Sequence, residues 1–189
     1  MDAMVARVTV SPYVKFQEVR TLGQGAFGRV VLMRRPRSDV TERSVEVAVK
    51  YASRSGGTLR NHILWEAAIL RKVAHERVVK LLDVCASTPG GEENCKDLPA
   101  LVFPPADLDL ETFLRRRGCA VPTMLARRLM GHLAAALAHV HSHGILHRDV
   151  KPGNCFIFFT GAEVHEDFLG PALVLADFGM ARRVSEDPA

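Results

Sequence analysis

The sequence predicts an α+β fold in two lobes: a β-rich first part around one main helix, then a helical second part. Three observations predict it. Short apolar runs suited to strands, broken by glycine, occupy Phe16–Leu22, Val30–Met33 and Val45–Tyr51, the signature of strands joined by turns. Helical apolar spacing appears once in that part, over Leu59–Val73, and then returns over residues 108–116 and 122–143. Between the parts Phe103 is followed by Pro104-Pro105-Ala106, where two adjacent prolines remove backbone donors and stiffen the crossover. With 189 residues, 48% of them hydrophobic, the chain is long enough for one ordinary domain with a sizeable core.

In chain order, the first informative element is Thr21–Val31, TLGQGAFGRVV, with Gly23, Gly25 and Gly28 spaced as G-x-G-x-x-G. That pattern also opens nucleotide-binding helices in dinucleotide enzymes, so its flanks decide. Strand-like runs on both sides make it strand–glycine turn–strand, a flap whose backbone can close over phosphates. No acidic residue ends a second strand at the usual distance for gripping a ribose. Val45–Tyr51 alternates as a strand and carries Lys50 near its end. In the helix that follows, Ile63, Leu64, Ala67, Ala68, Leu70 and Val73 form the apolar stripe, and Glu66 is the only acid between Leu59 and Val73. A lysine that grips phosphates needs a carboxylate to hold it, and Glu66 is the expected one. Residues 88–99 are turn-forming and charged, a loop between strands.

The long helix at 122–143 has Pro122 near its start and Leu125, Leu129, Leu133, Leu137 and Val140 as its apolar stripe. His139, His141 and His143 close it. An i, i+4 histidine pair can bind zinc, but no carboxylate or third ligand is evident nearby, so a polar helix end is expected. It leads into His147–Asn154, HRDVKPGN. This loop sets a carboxylate (Asp149), a cation (Lys151) and an amide (Asn154) close together. Phosphoryl transfer needs such a set: something to orient the attacking hydroxyl, a charge beside the moving phosphoryl, and an oxygen ligand for Mg²⁺. Finally the apolar strand Leu173–Ala176 delivers Asp177-Phe178-Gly179, with Asp177 as a further Mg²⁺ ligand and Gly179 expected to let the backbone turn away.

In this order the motifs resemble the protein kinases, and residues 16–183 take part. Lys151 after Asp149 looks like the serine/threonine class. Within it the sequence is most similar to cyclin-dependent kinases, on HERVVKLLDVCAST (His75–Thr88), LVFPPADLDLETFL (Leu101–Leu114), HSHGILHRDVKPGN (His141–Asn154) and LADFGMAR (Leu175–Arg182). The resemblance implies a two-lobed protein-kinase-like fold, with a β-rich N-lobe, one main helix and an incomplete helical C-lobe. Its expected bounds are an N-terminal extension 1–15 and a kinase domain 16–189, divided into N-lobe 16–103, hinge 104–109 and partial C-lobe 110–189.

The same resemblance implies ATP and Mg²⁺, and a protein substrate with a Ser or Thr hydroxyl. Asp149 and Lys151 would be catalytic, and Asn154 and Asp177 would hold Mg²⁺. ATP would lie against Leu22, Gly23, Gln24, Gly25, Ala26, Phe27, Gly28, Arg29 and Val30 of the glycine turn and against Lys50, steadied by Glu66. Ala48 and Val30 would cover the adenine and Phe103 would limit the pocket's depth. Ala106 would supply the hinge donor and Pro104 a carbonyl. Arg148 would pair with a phosphate on the activation segment. A cyclin-like regulatory partner goes with the subgroup, although Asn61–Glu66, NHILWE, does not reproduce its cyclin-contacting signature. Thr160–Ala172 is an insertion where the family has a short hairpin. No A-P-E motif follows Gly179, and Ser185 is too near Asp177 to be the usual activating site. Three readings stay open: part of a longer active kinase, a short form that binds ATP without phosphorylating peptides, or an interaction module.

Composition excludes several classes. A net charge of +4 is modest, and the arginines at Arg115-Arg116-Arg117 and Arg34-Arg35-Pro36-Arg37, the latter in an expected turn, lack interleaved aromatics. Solvated surface arginines are expected there, and no nucleic acid. Cys85, Cys95, Cys119 and Cys155 form no C-x-x-C pair, which argues against zinc and fits a reducing compartment. There is no long unbroken apolar stretch and no N-terminal hydrophobic signal core. The expectation is a soluble intracellular protein of cytoplasm or nucleus, without a membrane partner.

Overall fold

The structure, a computed structural model, describes residues 15–25, 28–36, 45–52, 58–85, 99–118, 120–159 and 170–186. They fall into two compact units. One takes the described residues up to Arg71 together with Leu81–Pro105, and the other takes Lys72–Lys80 and those from Ala106 onward.

The first unit is built on strands β1 (Gln17–Gly25), β2 (Gly28–Arg34) and β3 (Glu46–Ala52), helix α1 (Thr58–Lys72, whose last residue counts with the second unit), and strands β4 (Asp83–Cys85) and β5 (Ala100–Phe103). The strands form one antiparallel sheet in the order β1-β2-β3-β5-β4. Alternation sorts its side chains onto two faces. Val31 and Met33 of β2, Val47 and Val49 of β3, and Ala100 and Val102 of β5 pack with Phe16 and Cys85 into a buried cluster, joined by Tyr51. The register pairs Val31 with Val49, Met33 with Val47 and Val49 with Val102. The opposite face therefore carries Val30, Leu32, Ala48, Lys50, Leu101 and Phe103, since Val30 pairs with Lys50, Leu32 with Ala48, and Ala48 with Phe103. The β-branched and apolar residues seen in sequence thus serve two faces of one sheet.

The second unit contains β6 (Leu108–Asp109), α2 (Leu110–Arg116), α3 (Thr123–Ser142), β7 (Ile145–Leu146), β8 (Cys155–Phe158), β9 (Ala172–Leu175) and β10 (Arg182–Arg183). β6, β8 and β9 make a three-stranded sheet, and β7 pairs with β10. On α3, Leu129, Ala136 and Val140 are buried, whereas Leu125, Leu133 and Leu137 of the expected stripe are half-buried. α3 also meets β9 through a hydrogen bond from the Leu173 N–H to His132 Nδ1 at 3.2 Å. Lys72–Lys80, which the expected bounds put within 16–103, bonds to β9 instead. Val79 N–H donates to the Leu175 carbonyl at 2.8 Å and Leu175 N–H to the Arg77 carbonyl at 2.9 Å.

Several expectations are corrected in detail. Residues 108–109 are strand, paired with β8. The helix starts at Leu110 because the Asp109 carboxylate accepts from Thr112 N–H at 2.7 Å, capping the first turn. Arg34 is the end of β2 rather than part of a turn, and its guanidinium pairs with Glu46 at 2.7 Å. Ala172, taken with the insertion, belongs to β9. Residues 1–14, Ala26, Phe27, Arg37, Cys95, Cys119, the stretch 88–98 and the insertion over 160–169 lie outside the described residues. No helix among the described residues is long and apolar enough to cross a membrane.

Candidate active site

The first unit supplies a flap and an ion pair. β1 and β2 run further into the glycine turn than the apolar runs suggested, with Gln24 opposite Arg29 and Gly25 opposite Gly28. Gly28 has φ 138, a backbone open to glycine and strained for other residues. Gly23 has nothing within 4 Å of where a Cβ would stand. Leu22 sits where the register shifts between Thr21 and Gly23, and 39% of it is exposed. The Arg29 guanidinium lies over the Tyr51 ring, 5.8 Å from its centroid, and reaches Glu18 at 3.3 Å.

Lys50 Nζ donates to both carboxylate oxygens of Glu66 at 2.9 Å. Glu66 is buried, on the face of α1 that also buries Ile63, Ala67 and Leu70. A buried carboxylate persists only when paired and hydrogen-bonded, and this bond turns the Lys50 face of the sheet toward α1. Val30, Ala48, Lys50 and Phe103 therefore share one face of the sheet. Ala48 and Phe103 are buried there, while Pro104 and Ala106 follow half-buried.

The second unit holds the loop His147–Asn154. After β7 the chain passes through Arg148, in the left-handed region at φ 68, and reaches a 3₁₀ turn at Pro152–Asn154. Lys151 Nζ donates to Asp149 Oδ2 at 2.7 Å. Asn154 Nδ2 donates to the same oxygen and to the Asp149 carbonyl, both at 2.9 Å. The three side chains expected to converge do so on one carboxylate oxygen. Because the Asn154 amide nitrogen is spent on Asp149, its Oδ1 remains for a cation. With the Asp177 carboxylate it makes an all-oxygen donor set, which suits a hard ion that keeps waters or phosphates as its other ligands. The residues present fit Mg²⁺.

His147 and Phe178 tie this loop to Asp177, and neither was given a role from the sequence. The buried His147 ring donates from Nε2 to the Ala176 carbonyl at 2.9 Å, and its Nδ1 accepts from Asp149 N–H at 3.3 Å. Phe178 meets it edge-on, with centroids 4.7 Å apart. Ala176 N–H donates to the Asn154 carbonyl at 2.9 Å, and Cys155 pairs with Leu175. Asp177 therefore leaves a strand anchored directly to the loop that carries Asp149 and Asn154. The signal in sequence was the histidine two residues before the aspartate, but its partner was invisible. The left-handed residue of Asp177-Phe178-Gly179 is Asp177, at φ 59. Gly179 is instead buried within a 3₁₀ turn, so the expected turn at the glycine is made earlier, by the aspartate.

Electrostatics follow the geometry. The Lys151 hydrogen bond holds the Asp149 carboxyl below its ordinary value against partial burial, with Asn154 adding to it. The Lys151 ammonium is held above its own, chiefly by that same bond. Burial keeps the His147 imidazole below the ordinary histidine value although its Ala176 bond opposes this. His147 is thus a neutral ring with both nitrogens engaged, positioning the loop rather than moving protons. Burial likewise raises the Cys155 thiol, leaving it an apolar neighbour of Asn154.

Residues 16–189 match the protein kinase domain. Among curated proteins the chain is 32% identical over 173 residues to cyclin-dependent kinase 4 of Mus musculus, covering 89% of this chain and 52% of that one. It is 31% identical over 179 residues to cyclin-dependent kinase B2-1 of Arabidopsis thaliana, covering 93% and 52%. With the probable CTD kinase subunit alpha homolog of Encephalitozoon cuniculi it shares 28% over 176 residues, covering 93% and 46%. The chain spans about half the length of the curated relatives it matches.

Proposed function

This chain belongs to the protein kinase family, with similarities among serine/threonine and cyclin-dependent kinases, and on that premise we propose that it transfers the γ-phosphoryl of ATP to a Ser or Thr hydroxyl of a protein. The observation that carries this is the meeting of Lys151 Nζ and Asn154 Nδ2 on Asp149 Oδ2. Those bonds fix the carboxylate and leave its other oxygen, Oδ1, to take the hydrogen bond of an incoming hydroxyl. Asp149, held ionised by Lys151, orients that hydroxyl and accepts its proton as the new O–P bond forms and the bond from the γ-phosphorus to the bridging oxygen of the departing ADP breaks. Lys151 offsets charge on the transferred phosphoryl. Lys50, braced by Glu66, grips the α- and β-phosphates under the Gly23–Gly28 flap, while Val30 and Ala48 cover the adenine and Phe103 limits the pocket's depth. The backbone N–H of Ala106 and the carbonyl of Pro104 hold the adenine edge. Asn154 Oδ1 and the Asp177 carboxylate would hold Mg²⁺, which would supply positive charge to offset that of the phosphates.

The test has two arms. In the full-length protein carrying this chain, Asp149→Asn lowers phosphorylation of a serine- and threonine-containing substrate by about a hundredfold or more, whereas unchanged turnover would overturn the assignment. In this chain alone, Mg-ATP raises the melting temperature and Lys50→Met removes that rise. A rise without phosphorylation in the full-length protein would instead favour an ATP-binding regulatory role. A cyclin-like partner is a further proposal, resting on the similarity to cyclin-dependent kinases, and co-purification of a cyclin with the full-length protein tests it.

A further inference from the structure

Away from the loop His147–Asn154, the second unit stacks three histidine rings. His75 lies in Lys72–Lys80, and His139 and His143 lie one turn apart at the C-terminal end of α3. The His75 and His139 centroids are 4.5 Å apart with planes 21° from parallel, and the His139 and His143 centroids are also 4.5 Å apart, tilted by 47°. The sequence showed only the α3 pair.

The outer rings are pinned. His75 Nδ1 accepts from Arg77 N–H at 3.1 Å, and His143 Nδ1–H donates to the His139 carbonyl at 2.9 Å. The middle ring is different: His139 Nε2 is buried without a hydrogen-bond partner, the one such side-chain atom among the described residues. A metal does not account for it. Rings laid face to face aim their nitrogens sideways rather than at a common centre, and the Nδ1 atoms of the outer rings are engaged. No group of three His, Cys, Asp or Glu among the described residues is arranged to hold an ion.

The unpartnered nitrogen instead makes the ring sensitive to protonation. Protonating His139 would put a charge between two imidazoles with a dry, unpartnered N–H. The charged and titratable groups around the stack come from three segments. α3 brings the exposed His141. Lys72–Lys80 brings Lys72, whose Nζ donates to the His143 carbonyl at 3.0 Å, and Glu76, which pairs with Arg77 at 3.4 Å. The third segment follows Arg182 and Arg183 and is tied in by the bond from Val184 N–H to the Gly144 carbonyl at 3.0 Å. Of these neighbours, the flanking His75 and His143 rings are the ones that favour a neutral His139.

We propose that the stack is a proton-released clamp: neutral, it holds Lys72–Lys80 against α3, and protonation of His139 frees that segment. The segment is also what flanks β9, through the Val79 and Leu175 bonds, and β9 leads directly to Asp177. Releasing it loosens the strand that delivers a proposed Mg²⁺ ligand.

The sign follows from the ring's setting. Burial first, then His75 and His143, hold His139 below its ordinary value of 6.5. The folded state therefore binds fewer protons than the unfolded one, and the clamp is intact above that value and weakened as pH falls below it.

His139→Phe keeps a stacking ring and removes the proton site. Amide hydrogen exchange of Val79 and Leu175 in this chain, corrected for intrinsic rates, is compared at about pH 7.5 and about pH 5.5. Protection of both amides is lost between the higher and the lower pH in the wild type and holds steady in His139→Phe. Equal loss in both, or no loss in the wild type, overturns the proposal. Should the variant not fold, NMR titration of the wild-type His139 ring decides: a midpoint below 6.5 supports the clamp and one at or above 6.5 overturns it.

Discussion

Replacing Lys50 by Met isolates the ion pair on which the nucleotide half of the proposal depends. Lys50 Nζ makes two bonds of 2.9 Å to Glu66, and the two side chains are only 12% and 4% exposed. Methionine keeps most of the apolar stem, so the loss is chiefly electrostatic: a buried carboxylate is deprived of its cation. Removing one partner of a buried pair costs about 3–5 kcal/mol. Because the lysine end is the wetter of the two, the lower figure applies, about 3 kcal/mol. For a chain of this size each kcal/mol lowers the melting temperature by about 2–4 °C, giving a fall of about 6–12 °C. Urea denaturation measures the free energy, and thermal melts with and without Mg-ATP measure the ligand's share. At a hundredfold excess over Kd, Mg-ATP adds about 2.7 kcal/mol to the wild type and none to Lys50→Met. The double variant Lys50→Met/Glu66→Leu recovers much of the stability but not the ATP response, since an apolar pair removes the stranded charge. A Lys50→Met chain that matches the wild type in urea, or that Mg-ATP stabilises equally, would refute this reasoning.

Other outcomes test separate features of the chain. Because Asp149 titrates below its ordinary value, its base form is present through the neutral range and lost only as pH falls through that depressed value. Lys151→Met in the full-length protein therefore moves the acid limb of the kcat/KM profile to higher pH, and an unmoved limb would count against the Lys151–Asp149 bond as its cause. Gly144 has φ 68 and open space where a Cβ would stand, so Gly144→Ala costs about 1–2 kcal/mol for backbone reasons alone. Gly131 lies within α3 with nothing near a Cβ, so Gly131→Ala stabilises by about 0.5–1 kcal/mol. Denaturation midpoints shifting the same way for both glycines would contradict that pair. Asp109→Ala removes the α2 cap and costs about 1 kcal/mol by the same measurement.

What the sequence made legible was local or motif-borne. Alternation around Lys50, the glycine spacing and the single acid of α1 led to a strand, a flap and a bonded Glu66. The loop His147–Asn154 announced its convergence because its three polar residues are close in the chain. Features set by distant partners were not readable. Val78 and Val79 would suit either unit, and the bonds that Val79 N–H and the Arg77 carbonyl make with Leu175 go with the second. Asp109 looked like the second residue of a helix, whereas its carboxylate is more useful outside the first turn. Gly179 was the natural residue for a left-handed turn, yet Asp177 takes it, which frees the glycine for a buried 3₁₀ turn. His75 and His139 gave no hint of each other, because nothing in either local pattern encodes a ring contact between a loop and a helix end.

The central claim is that Asp149 directs phosphoryl transfer to a hydroxyl. The most direct measurement is transfer of label from γ-labelled ATP to serine and threonine of a mixed protein substrate by the full-length protein carrying this chain, with Asp149→Asn run alongside. Labelled serine or threonine is expected in the wild type, with a loss of about 10²–10⁴-fold in the variant. Equal labelling by both proteins would contradict the claim.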